Sequence, residues 1–71
     1  MSQYMIIIEH DGAAWGAYAP DLPGLGVASS SRKEVERLAR EAVVKHLAML
    51  KELGEPIPEP RAEVAYVAVA S

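Results

Sequence analysis

Glu9, Asp11 and Asp21 stand near turn signals in the first third of this 71-residue chain. Two or three converging carboxylates can hold magnesium and support phosphodiester cleavage, with the metal polarising a phosphoryl oxygen and activating water. The same residues also have ordinary uses. Asp11 can make a turn, Glu9 can end a strand and Asp21 can cap a loop, because short acidic side chains hydrogen-bond nearby backbone. His10 precedes the Asp11-Gly12 turn signal. As an acid or base it would need an orienting partner, and the sequence places none beside it, so it reads as a surface turn residue. His46 falls on the apolar stripe of a helix and reads as a partly buried helix residue. The chain has no usable Ser/His/Asp spacing and no H-E-x-x-H. The stretch "GLG" at 24–26 lacks the further glycine and helix start of a phosphate loop. There is no cysteine, so disulfides and thiolate metal sites are excluded, and two histidines cannot build a zinc site alone. We therefore expect no catalytic set, no bound metal and no cofactor.

Ten acidic and seven basic side chains leave a net charge of −3. Nucleic-acid binding needs a concentrated basic face, so this balance argues against direct DNA or RNA contact and suits a basic protein partner. No apolar run approaches the ~20 residues of a membrane span. The N-terminus shows no basic leader or small-residue cleavage site. With the absence of cysteine, this leads us to expect a cytoplasmic protein. A chain of this length forms one domain, residues 1–71, that buries only about 60% of its unfolded surface. Oligomerisation is one way to make up the deficit.

These residues must be positioned by a few short elements. "YMIIIE" at 4–9 is rich in β-formers. Tyr4, Ile6 and Ile8 face one side and Met5 and Ile7 the other, so both faces are apolar and the strand is expected to be central. Asp11-Gly12 is a hairpin signal, and "AWGAYA" at 14–19 is the returning strand. Pro20 stops it. "VASS" is a short third strand. Ser31 followed by Glu34 is a capping box. Val35, Leu38, Ala39, Ala42, His46, Met49, Leu50 and Leu53 then recur at helical spacing, and Gly54 and Pro56 end the helix. "EPIPEP" is a stiff connector, and "AEVAYVAV" is a last strand. The expected fold class is α+β, with element order β-β-β-α-β. A right-handed return sets the last strand beside the first, in sheet order 3-2-1-4, with one helix on one face. The other face keeps apolar side chains to be covered.

"PDLPGLG" at 20–26 is too rigid for a linker and too apolar for an ordinary solvent loop. If Leu22 and Leu25 point outward, the prolines reduce the entropy lost on docking a partner. If they point inward, they are lids on the sheet. Trp15 and Tyr18 lie on the second strand with opposite orientations, either as core or as aromatic anchors for an interface. Trp15, Tyr18, Asp21, Leu22, Pro23 and Leu25 are the candidate partner-binding residues.

"WGAYAPDLPG", the capped helix "SRKEVERLAREAVVKHLAML" and the tail "GEPIPEP" together resemble the HicB-like antitoxins of toxin–antitoxin pairs over about residues 4–60. The resemblance implies a partial RNase H-like domain that binds a small basic HicA-like toxin, which cleaves mRNA, and inhibits it by covering its catalytic histidine. The small core and the uncovered apolar face lead us to expect a homodimer or higher oligomer. Leu25 stands where many relatives carry cysteine, which keeps an apolar contact and removes any thiol role. The chain ends one strand after the proline connector, so no C-terminal DNA-binding module is expected. RNase H-like catalysis would need carboxylates in strand one, on the helix and at the end of strand four. Here those positions are Ile6-Ile7-Ile8, glutamates such as Glu41, and "VAVAS". A metal-dependent nuclease using Glu9, Asp11 and Asp21, or a structural dimer with no toxin, are the alternative expectations.

Overall fold

A computed structural model describes residues 2–70. Strand β1 is Ile7–Asp11 and strand β2 is Ala14–Tyr18. Gly12, at φ 63°, and Ala13 join them, with Asp11 opposite Ala14. Positive φ at only the first of two central residues marks a type II′ turn, whose twist matches that of the flanking strands. The ladder therefore runs through Glu9 and His10. Glu9 is mid-strand rather than at a strand end, and His10 is a strand residue rather than a turn residue. Strand β3, Gly26–Ser29, pairs antiparallel with β2, placing Tyr18 opposite Gly26 and Trp15 opposite Ser29.

Helix α1, Arg32–Glu52, begins at Ser31, whose hydroxyl accepts from Glu34 N at 3.2 Å. The expected capping box is only half formed. The Glu34 carboxylate is engaged by Arg37, and the Ser31 amide donates instead to Ser29 Oγ at 3.3 Å. The other end closes as a Schellman motif: Gly54 N donates to Lys51 O at 3.1 Å and Glu55 N to Leu50 O at 2.9 Å. Gly54 sits at φ 71°, a backbone state that costs a residue with a Cβ.

Alternation along the strands decides what the helix covers. Ile6, Ile8, Trp15 and Val27 pack on the core of Ala17, Val35 and Ala39, so the apolar stripe of α1 closes that face. The helix is about 32 Å long against about 17 Å for a five-residue strand, so its C-terminal half overhangs the sheet. Val44, Met49 and Leu53 are exposed there. Two ion-pair sets run along the outer helix surface. Arg32 and Arg40 hold Glu36 at 2.9 and 2.8 Å, while Arg37 bridges Glu34 and Glu41.

These pairs carry a pH dependence. Hydrogen bonding from Arg37 lowers the Glu34 carboxyl below its ordinary value, and hydrogen bonds from Arg40 and then Arg32 do the same for Glu36. A lowered folded pKa means that the folded state binds fewer protons than the unfolded chain. The contribution is complete above the ordinary glutamate pKa and is lost as pH falls through the lowered values. Acid titration of the helical circular dichroism signal should therefore show a loss that Glu36→Gln makes shallower and that added salt reduces. An identical acid profile for E36Q would contradict this.

Among the described residues the sheet has three strands, in the order β1-β2-β3. Two expectations fail here. β1 is an edge strand and β2 the central one. The fourth strand expected from "AEVAYVAV" is absent: residues 61–70 enter no strand, and the order 3-2-1 has no fourth member. The segment is extended, with Val64, Tyr66, Val67 and Val69 between 62% and 92% exposed. A period-2 apolar pattern becomes a strand only where it pairs with an edge, and here residues 63–70 enter no ladder.

Candidate partner-binding surface

The double-proline loop is two successive turns. Leu22 N donates to Ala19 O at 3.0 Å, and Leu25 N donates to Leu22 O at 3.3 Å. Proline at the second position suits both turns, and Gly24, at φ 86°, supplies the positive φ that a type II turn needs at its third position. The loop is rigid because its sequence is a pair of turn templates.

That geometry separates the candidate residues. Leu22 is fully buried, so the inward reading holds for it and it is not an exposed anchor. Pro23 is exposed and Leu25 is half-buried. Asp21 is half-buried and accepts from the backbone of Ala62 at 3.1 Å, so it ties the C-terminal segment to the loop. Asp21→Ala should cost about 1 kcal/mol in urea unfolding and speed amide exchange at Ala62, whereas Asp21→Asn, which keeps an acceptor, should be close to neutral. Equal exchange at Ala62 in both variants would show that the tie is not held in solution.

Trp15 and Tyr18 diverge as alternation requires. Trp15 packs on the helix-side core and its ring stacks against His10, centroids 4.0 Å apart with the planes 3° from parallel. His10 thus has a neighbour after all, supplied across the strands by the His10–Trp15 register, which neither residue's sequence context announced. Tyr18 stands on the open face, 41% exposed, between Ile7 on β1 and Gly26 on β3. Around it Gly16, Gly26 and Ala28 carry little or no side chain, which leaves the ring partly exposed. Glu9 and Asp11 share that face. The acidic trio does not converge: Asp11 is at the hairpin end of β1 and Asp21 lies beyond the opposite end of β2. Among the described residues no three His, Cys, Asp or Glu side chains are grouped to hold a metal ion.

The open face therefore carries a partly exposed aromatic side chain, with acidic residues toward the hairpin end of β1. A family model described as "HicB_like antitoxin of bacterial toxin-antitoxin system" matches residues 4–70.

The chain belongs to the HicB-like antitoxin family.

The match to the HicB-like antitoxins extends through the exposed C-terminal segment, ten residues further than the motifs "YAPDLPG" and "GEPIPEP" had carried the resemblance. Searches of curated proteins and of solved structures found no match. Membership in this family makes a toxin the class of partner to expect and makes regulation, rather than catalysis, the role it suggests. No helix among the described residues is long and apolar enough to cross a membrane. Motif reading missed Ile7 and Glu9 as members of the surface around Tyr18. The signal was available in the strand alternation, but only once the register was known.

Proposed function

We propose that this HicB-like chain binds a HicA-like mRNA-cleaving toxin and inhibits it by covering the toxin's catalytic histidine. The family match over residues 4–70 is the observation that carries this reading. The contact surface is the open sheet face: Tyr18 and Ile7 at its centre, Pro23 and Leu25 on the adjoining loop, and Glu9 and Asp11 at the margin. Leu22 anchors the loop to the core from behind this surface, and Asp21 ties Ala62 to the loop. Trp15 supports it from the helix side. An acidic margin on a chain of net charge −3 complements a basic toxin and speeds encounter with it. The protein works in the cytoplasm as a homodimer built on a partial RNase H-like domain, without a cofactor and without direct DNA contact.

The test is co-purification with the product of the adjacent reading frame, followed by RNA cleavage with and without this chain. A stable complex and stoichiometric loss of cleavage are expected. A basic, RNA-cleaving neighbour that neither binds this chain nor is inhibited by it would overturn the proposal. Magnesium-dependent cleavage by this chain alone would replace it with the nuclease reading.

A further inference from the structure

We propose that residues 62–70 of one copy complete the sheet of a second copy, lying along the open edge of its β1, and that the exchange is reciprocal. This deepens the homodimer part of the proposed function and does not depend on the toxin part.

Two features that the single chain leaves unmatched fit each other. The first is the tail. "AEVAYVAVA" is built from β-formers, yet among the described residues none of 63–70 enters a backbone hydrogen bond. Tyr66 is 92% and Val67 84% exposed, so the segment meets water on both of its faces. The second is the edge of β1. That strand is hydrogen-bonded to β2 on one side only, and the segment leading into it, Tyr4–Ile6, enters no ladder at all. Neither stretch has proline or lysine, which natural edges use to discourage pairing. Strand addition would supply a second neighbour.

The exit of the tail favours pairing in trans. The Tyr4 hydroxyl donates to Pro58 O, and the Asp21 carboxylate holds Ala62 N, fixing the chain near the start of β1. From there residues 63–70 are exposed throughout. The radius of gyration is 14.0 Å, whereas a compact chain of this length has about 11 Å. Eight extended residues span about 27 Å, enough to pair along both Tyr4–Ile6 and β1 of another molecule. Reciprocal exchange is a closed two-fold arrangement that uses both tails and both β1 edges, so association stops at the dimer.

The test uses the chain alone. Light scattering should give twice the 7.6 kDa chain mass for the native protein. Val67→Pro, which removes a ladder donor in a segment that the monomer does not bury, should give the monomer mass with the helical circular dichroism signal retained. Because the native chain has no cysteine, chains carrying only Glu9→Cys can be mixed with chains carrying only Tyr66→Cys or only Val67→Cys and oxidised. A disulfide between unlike chains is expected for at least one of the two mixtures. A native monomer, a dimer mass unchanged by V67P, or the absence of a mixed disulfide in both mixtures would each overturn the exchange. Toxin inhibition by a monomeric V67P chain would leave the toxin reading standing on its own.

Discussion

Leu22→Ala is expected to lower the unfolding free energy by about 3 kcal/mol, the usual cost of deleting most of a fully buried leucine side chain and leaving its cavity. Leu22 is completely buried although it sits in a loop bracketed by prolines. In a domain of this size each kcal/mol moves Tm by roughly 4–8 °C, so a fall of roughly 12–24 °C should be seen by thermal denaturation. Leu25→Ala, at a half-buried position in the same loop, should cost distinctly less. The turns themselves would survive in both variants, because the hydrogen bonds from Leu22 N and Leu25 N are made by backbone. A loss under about 1 kcal/mol for L22A would mean that the loop does not close over the core. The prediction separates the two uses of this loop: its buried leucine stabilises the chain, and its exposed edge is what remains for a partner.

Tyr18→Lys is the second large effect, and it falls on binding rather than folding. The Tyr18 ring is 41% exposed on the sheet face away from α1, so lysine there should leave the thermal midpoint within a few degrees of the native chain. Inhibition of the toxin should weaken by at least ~30-fold, the scale of losing an aromatic anchor of about 2 kcal/mol. Lysine also places a positive charge where a basic partner would dock. Tyr18→Phe keeps the ring and should retain most of the inhibition. A Y18K chain that folds and inhibits normally would move the toxin interface off this face while leaving family membership untouched. Glu9→Lys should reduce the association rate more than the lifetime of the complex, and more so at low salt, because Glu9 lies at the margin of the surface.

Local chemistry explains which parts of the fold were legible in advance. The Ser31 cap, the helical spacing from Val35 to Leu53 and the Gly54 stop act within a few residues of each other, and α1 formed between those limits. The capping box was only partly right because Glu34 had a nearer competitor in Arg37. The three strands of the sheet are legible in the sequence to within about three residues, whereas the fourth expected strand does not form among the described residues. The residue types point to a first strand at 4–9, whereas β1 runs Ile7–Asp11, because Asp11 still pairs with Ala14 and the turn opens at Gly12. For the candidate site, alternation alone sent Trp15 and Tyr18 to opposite faces, as found. It left open whether Leu22 faces in or out, since a turn template fixes the backbone path and not what lies beneath it.

The sequence by itself determined the family, through motifs spread along most of the chain, and the local elements, through turn residues, caps and periodicity. Only the tertiary structure decided that Leu22 is core, that His10 lies on Trp15, that Asp21 holds Ala62, and that the last apolar stretch lies beside no strand of its own chain. Each of these depends on two segments meeting, in most cases segments far apart in sequence. Such meetings are decided by the summed packing and loop-closure terms of the whole fold, which no short window of residues contains.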